Sequence, residues 1–201
     1  MMRGPVFLGG AVALLGASAL FSAALGALGP RLLPARDVTV AYQVEVPRRP
    51  PIDVRVAIAA GGARLRIVGE DLPTSFLVDR QTETAAIVLP MLKTYTRVSI
   101  ARYDPTQTVL RGAGFARGGN ETMLGLPCTH WHARSAQGQA DACITADGVI
   151  LQGSLTSDHK GNVGAVRAVR VEYGALPPAI FKVPGNYSES PLGQAAAQFL
   201  K

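Results

Sequence analysis

The sequence predicts a mainly β protein (α+β): one large curved antiparallel sheet or unclosed barrel of about eleven strands, with one internal and one C-terminal helix. Three observations predict it. From Asp37 onward, apolar and polar residues alternate in run after run, the period of a half-buried strand. Turn signals separate these runs about every eight to twelve residues. Val, Thr, Gly and Pro are frequent, with 22 Gly and 14 Pro in 201 residues, while the helix formers Glu and Lys are scarce.

Residues 1–35 stand apart. Arg3 precedes "VFLGGAVALLGASALFSAALGAL", an uncharged apolar run over 6–28. This reads as a secretory signal peptide or, being 23 residues long, as an N-terminal membrane anchor. Small residues allow cleavage after Ala24, Gly26 or Ala35. Either outcome exports the remainder, and an Ala/Arg/Gly-biased composition suggests a bacterial periplasm, with inner-membrane anchorage if the run is uncleaved. The antiparallel β domain then occupies 36–188 and a C-terminal helix 189–201.

Within the β domain, "DVTVAYQVEV" (37–46) alternates without a break, and "RRPP" ends it. "IDVRVAIA" (52–59) and "ARLRIVG" (63–69) follow across a Gly-Gly turn. The next strands are 74–80, 84–90 and 93–100. Asp104 and Pro105 form a helix-start signal, an N-cap followed by Pro at the first helical position, and Gly112 ends that short helix. Strands resume over 115–124, 127–134, 139–146, 149–156 and 163–173. Asp147 and Gly148 supply a hairpin turn between two of them. "LPPAIFKVPGNY" (176–187) is extended and Pro-rich. Ser190 and Pro191 open the closing helix.

The formal net charge of +6 comes mostly from dispersed arginines. It implies a solvated basic surface with weak attraction to anionic membranes. No basic run carries interleaved aromatics, so nucleic acid is not an expected partner. The sequence also lacks a nucleophile elbow, a His-Glu-x-x-His helix motif and a phosphate-cradling loop, so no enzyme, catalytic residue or cofactor is expected. His159 reads as a solvated loop residue.

The densest chemistry is "CTHWHARSAQGQADAC", from Cys128 to Cys143. It holds both cysteines, the single tryptophan and two of three histidines. Two cysteines in an exported chain predict one disulfide, Cys128–Cys143. Direct cross-strand pairing of the two puts His130 opposite Asp141. Trp131, Ala140, Ala142 and Ile144 then share an inward face. The competing metal reading uses two cysteines and two histidines: Cys128, His130, His132 and Cys143. Residues i to i+4 of a strand span about 13 Å, too far for one tetrahedral ion without a bend. His130 and His132 alone remain weak candidates for loose copper or zinc chelation.

The second half, "GLPCTHWHARSAQGQADACITADGVIL" with the later "LPPAIFKVPGNY", resembles a family of exported bacterial proteins of unknown function. That family is similar in architecture to LolA-like and LppX-like lipoprotein carriers. The resemblance spans 37–187 and implies an unclosed barrel whose helices cover the mouth. It brings no activity. It leads to the expectation of a periplasmic binding or carrier module for a lipid, an acyl chain or a lipoprotein. The expected cavity lining is Val40, Tyr42, Val44, Val56, Ile58, Leu65, Ile67, Phe76, Val78 and Trp131. The alternatives are an envelope structural or protein-interaction domain and, more weakly, a periplasmic metal-binding protein.

Overall fold

The computed structural model describes residues 29–70, 74–100, 112–158 and 161–190. Six strands make a first meander: β1 (Val38–Glu45), β2 (Ile52–Ile58), β3 (Arg64–Gly69), β4 (Ser75–Asp79), β5 (Thr84–Leu89) and β6 (Thr94–Ser99). Five make a second: β7 (Gly114–Met123), β8 (Leu126–Ser135), β9 (Gly138–Thr145), β10 (Ile150–Ser157) and β11 (Gly161–Tyr173). Antiparallel pairing of β1 with β11 fuses the two meanders. A short β12 (Ser188–Glu189) adds in parallel to β6. The result is one 12-stranded sheet in the order β12-β6-β5-β4-β3-β2-β1-β11-β10-β9-β8-β7. It does not close, so β7 and β12 are its edges.

The eleven expected strands are present with ends shifted by one or two residues. The twelfth was not foreseen. Helical structure among the described residues is limited to 3-10 turns at Ala60–Gly62, Pro90–Leu92 and Pro178–Phe181. The expected internal helix (105–112) lies outside the described residues except for Gly112, and the C-terminal helix (189–201) lies outside them except for Glu189 and Ser190. Glu189 is in a strand because the Ser188 and Ser190 amides donate to the Lys93 and Tyr95 carbonyls. The apolar N-terminal run and His159 also lie outside the described residues. No helix of the described residues is long and apolar enough to cross a membrane.

Three apolar clusters hold the sheet. The largest gathers Val38, Val40, Met123, Cys128, Cys143, Val149, Leu151 and Ala168, with Tyr42 and Tyr173 packed against it. The other two lie where residues 176–187 strap one face of the first meander. Leu176, Ile180 and Phe181 cover Ala57 and Ala59, and Val183 and Tyr187 cover Leu77, Ala86 and Val88. The outward arginines of β3 grip this strap: Arg66 donates to the Ile180 carbonyl, and Arg64 stacks over the Phe181 ring. An extended segment with two consecutive prolines suits this role, since it loses little entropy when ordered.

Residues 30–37 clasp one end of the sheet. Pro34 is buried, the Ala35 amide donates to the Asp147 carbonyl, and the Gly61 amide donates to the Pro34 carbonyl. Asp37 accepts from the Ala60 and Leu176 amides, each at 2.7 Å. Those two bonds hold its carboxyl below the ordinary carboxylate range.

Candidate functional site

The register of β7 to β11 and β1 builds an apolar concavity from two cross-strand rows. One runs Trp131, Ala142, Gly153, Val166, Val44. The other runs Phe115, Ala133, Ala140, Leu155, Gly164. Each row is bulky at the β7–β8 end and small in the middle. Alanine and glycine therefore stand where a filled core needs Leu or Ile, and the missing side-chain volume is the cavity. It measures about 380 Å³, within the range of small-molecule sites. Pro30 and Leu32, ahead of β1, add a further wall.

Gly153 and Gly164 shape the floor differently. A Cβ on Gly164 would press on the Glu45 carbonyl at 2.7 Å, so that position excludes side chains. A Cβ on Gly153 would meet only ordinary contacts at 3.5–3.6 Å, so a side chain there is tolerated and would enter the cavity. Glu45, Asp141 and Ser154 border the cavity at positions between the inward residues of their strands. A second cavity of about 280 Å³ adjoins the first through Glu45, Val46 and Ala165, and has Arg49 and Asn162 in its wall.

Beneath the concavity a polar network fixes the β9–β10 turn. Asp147 accepts from the Thr145 hydroxyl (2.6 Å), Arg36 Nε (3.1 Å) and the Tyr173 hydroxyl (3.1 Å). Burial pushes the Asp147 carboxyl up, but the three donors outweigh it and its pKa lies below the ordinary value. The Arg36 guanidinium stacks 3.8 Å above the Tyr173 ring. The Tyr42 hydroxyl donates to the Ile150 carbonyl at 2.9 Å, tying β1 to a cavity-lining residue. Burial, and then the nearby Tyr173, push the Tyr42 phenol well up.

Of the ten residues expected to line a cavity, the structure brings Val44 and Trp131 together in this one. Val40 is fully buried in the main core, with Tyr42 packed on that cluster. The other six lie on β2 to β4 in rows continuous with β1: Val40, Val56, Ile67, Phe76 and Val38, Ile58, Leu65, Val78. Phe76 there is 37% exposed. Ala140, Ala142 and Ile144, expected on the inward face of Trp131, do line the cavity, whereas Phe115, Leu155, Val166, Leu32 and the floor glycines were not anticipated. The available signal was small residues at inward strand positions.

The disulfide Cys128–Cys143 is formed, with a Cα–Cα separation of 5.4 Å. Its expected register needs correction. Ser135 pairs with Gly138 around a two-residue turn, which places Cys128 opposite Thr145 and His130 opposite Cys143. The bridge therefore runs diagonally, and Asp141 faces His132, with which it pairs, instead of His130. His130 pairs with Glu121 at 2.8 Å. The two imidazoles thus engage different carboxylates. The cysteines sit in the core, so the face carrying them is solvated only toward His130 and His132.

Residues 62–157 match DUF4412, described as a domain of unknown function. The match runs from the turn before β3 through β10 and takes in the disulfide hairpin and most of the concavity. It agrees with the sequence resemblance to a family without an assigned activity. No curated protein matches the chain. Among solved structures, an uncharacterized conserved protein from Thermus thermophilus superposes with a TM-score of 0.55 at 10% identity, over 78% of this chain and 90% of that one. MucB in the Pseudomonas aeruginosa MucA/MucB complex superposes with a TM-score of 0.52 at 11% identity, over 75% of this chain and 56% of that chain's length. A LolA superfamily protein from Nitrosomonas europaea aligns more loosely, with a TM-score of 0.38 at 10% identity, over 76% and 92% of the two chains. At such identities the likeness to the first two is one of fold.

Proposed function

We propose that the chain is an exported, non-enzymatic binding module that holds an acyl chain or similar apolar ligand in the concavity walled by Trp131 and Phe115. One observation carries this reading. The inward positions of β8 to β11 alternate bulky rims with an Ala/Gly floor, leaving about 380 Å³ bounded almost wholly by apolar side chains. An apolar guest gains by leaving water and meets no unpaired polar group. The apolar N-terminal run and the disulfide support export to an oxidising compartment such as a bacterial periplasm.

Trp131 is the single tryptophan, so its fluorescence reports on the cavity wall. Titration with a fatty acid should shift and saturate that emission, and solvent extraction of purified protein should release a lipid detectable by mass spectrometry. An unresponsive Trp131 together with an extract free of lipid would sink the reading.

A second reading is a protein-interaction module of the envelope. The fold likeness to MucB, which forms a complex with MucA, favours it. It predicts a stable protein partner after crosslinking of the envelope fraction, and none of the fatty-acid response.

A further inference from the structure

Four donor-bearing side chains of β7, β8 and β9 meet on the face opposite Trp131. Glu121 pairs with Cys128 across β7 and β8, and His130 pairs with Cys143 across β8 and β9. The bonds between them run on the diagonals: the disulfide joins Cys128 to Cys143, and His130 Nε2 lies 2.8 Å from Glu121 Oε2. A Glu121 oxygen, a His130 nitrogen and Cys143 Sγ all lie within 4.8 Å of one another, and Cys128 Sγ is bonded to the last of these. His132 pairs with Asp141 and takes no part.

We propose that this patch is a redox-gated site for a borderline-soft divalent cation, of which zinc fits best. With the disulfide closed, both sulfurs are spent and only an imidazole and a carboxylate remain. Reduction converts the patch to a set of two thiols, one imidazole and one carboxylate, the donor number and types of a tetrahedral zinc site. The step balances with a dithiol as reductant. Two electrons pass from the dithiol to the S–S bond, the dithiol leaves as its own disulfide, and Cys128 and Cys143 become thiols. Binding of the cation then releases the two thiol protons to solvent.

Position in the sheet supplies the gate. The sulfurs are buried, with Cys128 at 3% and Cys143 at 1% exposure, beneath half-exposed Glu121 and His130. β7, whose Met123 packs with both cysteines, is an edge strand paired only with β8 among the described residues. Its ladder is broken between Arg117 and Asn120, where Gly118 and Gly119 form a bulge. A strand with one neighbour and a bulge in its ladder can open locally at that bulge, which exposes the bridge without global unfolding. The cavity and its ligand are not involved.

Cobalt(II), a spectroscopic stand-in for zinc, tests this on the full-length protein before and after treatment with a phosphine, which takes the place of the dithiol and becomes a phosphine oxide. The oxidised protein should give no thiolate-to-cobalt charge-transfer band. The reduced protein should give that band and tetrahedral visible bands at one equivalent. His130→Ala and Glu121→Gln should weaken binding about tenfold or more, and His132→Ala should leave it unchanged. A reduced, folded protein without the band overturns the proposal, as does an equal loss in His132→Ala and His130→Ala. If reduction loosens the fold, melting of the reduced protein is compared with and without zinc. A zinc-dependent rise in Tm that His130→Ala abolishes supports the site, and no rise overturns it.

Discussion

His130 faces Cys143 directly across the β8–β9 ladder, yet Cys143 is bonded to Cys128, two residues along from His130. A diagonal bridge fixes strand register as firmly as a directly opposed one, because a slip of one residue would turn one sulfur to the other face. It also closes a loop with a sequence separation of 15 and sits inside the main core.

Replacing both cysteines, Cys128→Ser with Cys143→Ser, should therefore cost about 3 kcal/mol through the freer unfolded chain. The lost packing of two buried sulfurs adds to this. Urea unfolding at neutral pH measures it. In the unaltered protein, alkylation without reductant should label neither cysteine.

Gly153→Leu should fill the concavity without disturbing the backbone, since a Cβ there meets only van der Waals contacts. The expected outcome is an unchanged melting profile with fatty-acid affinity reduced about tenfold or more, which corresponds to about 1.4 kcal/mol. The Trp131 emission reads both the fold and the binding. Full affinity in this variant would move the ligand elsewhere.

Asp37 gives the protein an acid-sensitive clasp. Its folded pKa is depressed by the amide bonds from Leu176 and Ala60. Its contribution is therefore complete above the unfolded carboxylate value, about 3.9, and is lost as pH falls through the lower folded value. Asp37→Asn should cost about 1 kcal/mol at neutral pH, a small figure because the group is open to water. The two proteins should begin to converge below about pH 4 and coincide once the pH is under the lowered folded value. Parallel melts from pH 7 to pH 2 measure the difference.

The β7–β8 turn carries Leu124 at φ 54° followed by Gly125 at φ 74°. Two left-handed residues suit this hairpin, but leucine pays a steric cost for the conformation and is 51% exposed. Leu124→Asn should stabilise the protein by about 1 kcal/mol, seen as a higher Tm.

Strand alternation made nearly all of the sheet legible in advance, because a half-buried strand writes period two into its sequence. "DVTVAYQVEV" became β1 with its ends trimmed by one residue each. β12 left no trace, since two residues joined in parallel to β6 have no pattern to show. Register was legible only to the extent that the turn was. Ser135 and Gly138 flank the turn and move His130 from Asp141 to Cys143. The concavity was hardest to see because it is made by what is missing. Apolar periodicity selects the face of β2 to β4, rich in Val and Ile, whereas the open volume lies over Ala133, Ala140, Ala142 and Gly153. Pro30 and Leu32 were hidden for another reason: they lie in the stretch assigned to the leader.

The union of β1 with β11 also sets an order of events. Val38 meets Ile58 in the first meander, but its other neighbour, Tyr173, comes only at the end of the second. A chain delivered N-terminus first can zip β1 to β6 as it emerges. It must then hold one side of β1 unsatisfied until nearly the whole domain has arrived. Such a long-range closure is slow. Meanwhile the exposed strand edge invites pairing with other chains. Under the proposed export, delay of this kind would keep the polypeptide threadable until it has crossed a membrane.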